Sequence, residues 1–184
     1  MTETQTIAGY KAGTWTVDRS HSEVSFSVRH LMISKVNGKF EQFSATFVTG
    51  QSIQDSSVEA TAEVASINTN EPNRDAHLRA GDFFEADTHP QIHFKSTSVR
   101  VAGGALFVDG ELTIKGVTRT TTFDLEIGGF GSDPYGNYRA GIVATTTIDR
   151  TDFGLAYNAA LETGGVLIGE KVTITIDLQA VYTG

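Results

Sequence analysis

Side chains able to do chemistry crowd into one stretch, residues 70–94, which holds Arg74, Asp75, His77, Arg79, Asp82, Asp87, His89 and His93. Metal ligation is the sharpest chemistry this pattern suggests, with His77, His89 and His93 set among carboxylates. Spacing argues against it. His89 and His93 flank Pro90 at the start of an extended segment, where residues four apart stand roughly 13 Å from each other, far beyond the ~2 Å reach of a shared ion. His77 can meet only one of them through the fold, so no metal is expected, and histidines hydrogen-bonded at a pocket mouth are the plainer reading. General-base chemistry fares little better. Asp75 and His77 point to different faces of a helix and meet only if the chain bends. No nucleophile accompanies them, and the chain has no cysteine. Arg74 and Asp75 are expected to tie this stretch to its scaffold through ion pairs. Phe83 and Phe84 suit either plain core or contact with a ligand.

The elements that position these groups follow from local chemistry. Asn70 or Thr69 is expected to cap a short helix, with Pro72 tolerated in the first turn, where amide protons have no intrahelical partner. Gly81 is expected to end it, and Asp82 to cap a second short turn carrying Phe83 and Phe84. Pro90 holds its predecessor extended, so a strand restarts at Gln91. The result is a short helical lid at about 70–85 on a β scaffold.

The scaffold reads from alternation. Trp15 and Val17 are separated by polar residues, a kink follows at Arg19–Ser20, and Val24, Phe26 and Val28 resume the pattern. Val36, Gly38 and Phe40 are in phase, whereas Phe43, Ala45 and Phe47 have the opposite parity, which predicts a bulge near Glu41–Gln42. Further strands follow at Val58–Val64, Ile92–Phe94, Leu106–Ile114 after a Gly103–Gly104 hairpin, Phe123–Ile127, Ala140–Ile148 and Val172–Ala180. The count is eight. Strands this long twist and curl, and an even number of them closes antiparallel without leaving an edge. The expected fold is all-β: a single eight-stranded antiparallel up-and-down, lipocalin-like barrel. Closure should pair the Trp15 strand with residues 169–182. The inward mixture of Phe with Ala, Val and Gly suits either a filled barrel or a cavity. Residues 151–165 break alternation, contain good helix formers and are a candidate second wall.

Whole-chain numbers narrow the class. A chain of 184 residues buries about 70% of its unfolded surface as one core. Residues 1–13 are expected to be a flexible tail, and 14–184 the barrel domain. A net charge of −8 argues against nucleic acid or an anionic membrane as the main partner. No run approaches the ~20 apolar residues of a spanning helix, so stable membrane insertion is not expected. The opening residues lack the basic and apolar regions of a secretory signal, which makes the cytoplasm the expected location. Walker, GxGxxG, HExxH, GxSxG and EF-hand patterns are all missing.

The blocks WTVDRSHSEVSFSVRHLMISKVNGKF (15–40), SINTNEPNRDAHLRAGDFFEADTHPQIHFKST (66–97), GELTIKGVTR (110–119) and IDRTDFG (148–154) resemble the YceI-like family, in the family's order and over nearly the whole chain. Its central signature is RDxHLR followed by DFF and P-x-I-x-F. The resemblance implies a lipocalin-like barrel that holds a long apolar molecule, a polyisoprenoid or isoprenoid quinone, without catalysis and without a cofactor. Many members are exported, and this sequence departs from them in lacking a signal peptide. Carried over to this chain, the motif puts Arg29, His30, Arg74 and His77 near the cavity mouth, where a phosphate or quinone head would accept hydrogen bonds. Apolar contacts are expected from Phe26, Val28, Phe40, Phe47 and Phe94 on the walls, Ile114 and Phe123 deeper, and Leu78, Phe83 and Phe84 on the lid. The rival function is a barrel enzyme on a small apolar substrate with a His/Asp general base near the lid. A filled barrel acting only through its surface is a third. The chain is compatible with a monomer or a homodimer.

Overall fold

A computed structural model describes residues 5–161 and 165–184. Alternating apolar residues fold into eleven strands: β1 (Gly13–Val17), β2 (Glu23–His30), β3 (Ser34–Phe40), β4 (Phe43–Thr49), β5 (Ser57–Glu63), β6 (Ile67–Asn68), β7 (Gln91–Ala102), β8 (Ala105–Ile114), β9 (Val117–Ser132), β10 (Tyr138–Asp149) and β11 (Ile168–Tyr182). All pair antiparallel. They make eight staves, because three staves are broken. β1 and β2 form one stave kinked at a 3-10 turn over Arg19–His21, β3 and β4 form a second interrupted at Glu41–Gln42, and β5 and β6 form a third. β11 closes the ring by pairing with β1 at Trp15↔Tyr182 and with β2 at Ile174↔Phe26. The Gly103–Gly104 hairpin and the closing pair are present, and where the sequence predicts a bulge near Glu41–Gln42 the strand is interrupted instead, β3 ending at Phe40 and β4 starting at Phe43; closure leaves only short unpaired stretches, at β6 and the end of β7.

Register defines two ends. At one, β1, the end of β4 and the end of β11 meet around Trp15, which is 2% exposed and packs on Phe130, Tyr138 and Tyr182 at ring separations of 5.0–5.9 Å. Residues 7–10, within the stretch expected to be a tail, pack here. Ile7 and Tyr10 pack on the core, the Tyr10 hydroxyl donates to the Gly50 carbonyl at 2.9 Å, and the Tyr138 hydroxyl donates to the Gly9 carbonyl. The other end carries the β2–β3 turn, the β8–β9 turn and α1 (Pro72–Arg79), the one α-helix among the described residues. Among those residues no helix is long and apolar enough to cross a membrane.

The lid forms as expected but is capped differently. Glu71 is the N-cap, its carboxylate accepting from the Asn73 and Arg74 amides at 3.1 and 2.6 Å. Asn70 cannot serve, because an N-cap residue needs extended backbone and Asn70 has φ +64°. The Thr69 hydroxyl is already committed to Asp75. The helix stops at Ala80, not Gly81, and the next turn is held by the Phe83 amide on the Ala80 carbonyl instead of an Asp82 cap. The 151–165 stretch forms only a 3-10 turn, Arg150–Phe153, then runs irregularly to Leu161; residues 162–164 of that expectation lie outside the described residues.

Candidate functional site

The barrel is open inside. A cavity of about 430 Å3 runs along its axis, bordered by Tyr10, Trp15 and Phe130 at the end opposite the lid and by His30, Tyr157 and Leu167 beneath the lid. Register explains the space. Ala45 and Ala60 face each other across β4 and β5, so two small side chains fall together where bulky ones would have met, and Ala144 leaves further room opposite Leu125 across β10 and β9. Of the two alternatives that the inward residues left open, a filled barrel and a cavity, the structure has the cavity.

All fourteen side chains expected at the site border this cavity: Phe26, Val28, Arg29, His30, Phe40, Phe47, Arg74, His77, Leu78, Phe83, Phe84, Phe94, Ile114 and Phe123. They divide by burial. Phe94 and Phe123 stack edge-on at 5.0 Å and, with Ile114, belong to the packed core. Phe26 and Phe40 lie 5.7 Å apart under the lid. Phe26 reaches there because Gly38 opposite has no side chain: a Cβ at Gly38 would sit 2.4 Å from Phe26 Cζ and 2.9 Å from Thr69 Cγ2. Phe83 is buried against the rings of His77 and Tyr157, whereas Phe84 is half-buried and meets Phe40 edge-on at 6.1 Å.

The polar groups of the lid are arranged differently from the expected ion pairs. Arg74 donates through Nε to the Thr69 hydroxyl and through Nη2 to the Thr69 carbonyl, both at 2.7 Å. The same hydroxyl donates to buried Asp75 at 2.6 Å, and Asp75 also accepts the Thr69 amide at 2.8 Å. The lid is thus anchored to the strand that precedes it by a chain of hydrogen bonds through one threonine. No hydrogen bond or ion pair joins Asp75 to His77. His77 instead pairs with Asp82 at 3.0 Å, His93 with Glu59 at 2.9 Å, and His89 approaches Glu85 at 3.9 Å. Each histidine is occupied by its own carboxylate, and no cluster that could hold a metal occurs among the described residues. No carboxylate borders the cavity among the described residues.

Sequence reasoning passed over one charged group. Arg150, 4% exposed, borders the cavity at the lid end and donates to the carbonyls of Gly169 (2.8 Å), Leu155, Tyr157 (2.9 Å) and Ile168 (3.3 Å). Burial lowers its pKa, opposed by the charges of Glu170 and Asp149. No carboxylate bonds to it; four carbonyl dipoles hold the charge and clamp the 155–157 segment, which supplies Leu155 and Tyr157 to the wall, against the start of β11. A basic residue closing a strand pattern and followed by a turn was the available signal.

Comparison with known proteins gives a consistent picture. Residues 15–180 match the family model of the YceI-like domain. A UPF0312 protein of Staphylococcus aureus strain MSSA476 is 43% identical over 161 residues, which is 86% of this chain and 91% of that protein. The crystal structure of BcnA from Burkholderia cenocepacia superposes with a TM-score of 0.77 at 26% identity, covering 89% of this chain and 98% of that one. A polyisoprenoid binding domain from Saccharophagus degradans, implicated in plant cell wall breakdown, superposes with a TM-score of 0.70 at 17% identity, covering 94% and 100%; at that identity the likeness is one of fold.

Proposed function

This chain belongs to the YceI-like family, and from that membership we propose that its barrel binds a long apolar isoprenoid, a polyprenyl chain or an isoprenoid quinone, and carries or sequesters it without catalysis. The observation that bears most weight is the cavity itself: about 430 Å3, axial, and lined almost wholly by hydrocarbon side chains. That volume falls in the ~300–1,000 Å3 range of small-molecule sites. Affinity in such a channel comes from apolar burial at ~25 cal/mol per Å2 and needs few polar contacts. A linear chain suits a bore walled by Ala45, Ala60 and Ala144 better than a compact ligand does. His30, Arg74 and His77 at the lid end are the groups that would donate to a polar head.

The rival reading, a barrel enzyme with a His/Asp general base, finds less support. His77 borders the cavity, but its partner Asp82 does not, and the two side chains are 41% and 60% exposed. An imidazole at a water-exposed rim, with no carboxylate inside the cavity to orient it, is poorly placed as a general base. Organic extraction of the purified protein followed by mass spectrometry tests the proposal. An isoprenoid in near-stoichiometric amount is expected; only short or polar compounds, or none after loading with a polyprenol, would overturn it.

A further inference from the structure

The β2–β3 turn is built against its own stability. The Ile33 amide donates to the His30 carbonyl at 3.2 Å, closing a turn whose two central residues, Leu31 and Met32, have φ of +54° and +62°. Both central positions of such a turn favour Asn and Gly, because a side chain is strained there. Instead the tip reads Leu-Met-Ile and holds those residues in water: Leu31 is 38% exposed, Met32 56% and Ile33 80%. Backbone strain and exposed apolar surface are both unfavourable for folding, and both fall on the same three residues.

Their location gives the pattern a meaning. The tip stands at the rim of the cavity, where the Leu31 amide donates to the Leu167 carbonyl at 2.9 Å and His30 pairs with Ile168. Leu167, Ile168 and His30 are cavity wall, as is Tyr157, itself 37% exposed. Behind the tip, Arg29 and Lys35 face each other directly across β2 and β3. Like charges in that position repel, and no described residue forms an ion pair with either; on the adjacent strand, Glu170 does not reach them. Two cations a short step behind three exposed apolar side chains match the layering of a phospholipid surface, with acyl chains inside a plane of phosphates.

We infer that the Leu31–Met32–Ile33 tip docks this end of the barrel on a phospholipid bilayer, with the tip among the acyl chains and Arg29 and Lys35 at the phosphates, so that the cavity opens onto the membrane. The inference rests on the isoprenoid reading for its purpose, since a ligand of that kind resides in bilayers, but its geometry is independent of it. The net charge of −8 opposes approach of the chain as a whole to an anionic membrane, so contact has to be made by a local apolar and basic patch of this kind.

Flotation of the full chain with phosphatidylethanolamine/phosphatidylglycerol vesicles is the test. Wild type is expected to float with the vesicles, and Met32→Ser/Ile33→Ser to bind at least about tenfold more weakly, the loss expected for two apolar side chains that no longer leave water. Because both residues are exposed and neither borders the cavity, melting temperature and extractable lipid should not change. Lys35→Gln should weaken binding severalfold on these vesicles and hardly at all on phosphatidylcholine. Wild type that stays with the soluble fraction, or a double variant that floats as well as wild type, would overturn the inference. So would a dimer in sedimentation that the double substitution dissolves without any vesicle binding, since the patch would then belong to a second copy. Vesicle binding with no extractable isoprenoid would sink the ligand reading and leave the docking face standing.

Discussion

Phe83 and Phe84 are neighbours in sequence with different surroundings, and truncating each separates core from ligand contact. The Phe84 backbone is fixed by its amide on the Leu78 carbonyl at 3.0 Å, so Phe84→Ala removes the ring and leaves the turn. That ring is half-buried and its packing is shared between two core clusters, with its remaining surface toward the cavity. A phenylalanine buries ~150–250 Å2, so if about half of this meets the ligand the loss is ~80–120 Å2, or ~2–3 kcal/mol, a ~30–150-fold weaker hold on an isoprenoid. Phe83, 6% exposed and packed on His77 and Tyr157, should instead cost ~3–5 kcal/mol of stability when truncated. The assay is paired: urea midpoint and bound polyprenol for each variant. Phe84→Ala with full lipid content and a stability loss equal to that of Phe83→Ala would show that the lid is ordinary core and refute the assignment.

Arg150→Ala should cost about 2–3 kcal/mol, because it strips a donor from the buried Leu155 carbonyl and from the part-buried carbonyls of Gly169, Tyr157 and Ile168, and Arg150→Lys should recover only part of it, since an ammonium lacks the guanidinium's planar fork; urea unfolding of the pair reads this. Stability should also fall in acid. Ser20, Arg139 and His21 hold the Asp18 carboxyl well below the usual carboxylate range, and Arg100, Thr122 and Ser98 do the same for Asp109. A depressed folded pKa contributes stability that is full above the unfolded value of ~3.9 and is lost as pH falls through the lower folded value. Asp18→Asn should therefore lower the urea midpoint at about pH 7, and its gap to wild type should begin to narrow as pH falls below about 4 and close only towards the much lower folded value; a gap independent of pH would contradict this.

The barrel was legible because its signal is local. Alternation, the parity change at Glu41–Gln42 and the Gly103–Gly104 turn are each carried by a few consecutive residues, and their sum leaves closure as the way to remove the edges. Features that depend on register were not. Whether the barrel is filled turns on Ala45 meeting Ala60 instead of a phenylalanine, a matter of pairing that no single strand contains. The lid's cap failed for a related reason. Thr69 and Asn70 have the right side chains, but Thr69 serves Asp75 and Asn70 has the wrong backbone, so the cap passed to Glu71. Arg150 was missed because its partners are carbonyls, and carbonyls carry no sequence identity.

Strain is distributed unevenly along the barrel, and that makes a final prediction. Among the described residues five non-glycine positions have positive φ: Leu31, Met32, Asn70, Glu85 and Lys115. All lie in the lid or in the turns at its end. The opposite end has Trp15 packed among three aromatic rings, and Arg139 joining Asp18, Asp133 and Gln179 at 2.7–2.8 Å. Free energy of local opening tracks such differences, and segments that move to admit a ligand come from the low end of the range. Hydrogen exchange should therefore find the amides of Phe83, Phe84 and Glu85, bonded only to α1 and its cap, opening well before those of the β10–β11 ladder between Arg139↔Val181 and Asp149↔Lys171. Protection that is uniform from lid to ladder would mean that the barrel opens only by global unfolding. A long apolar chain would then have no route past the lid, and entry would have to occur during folding.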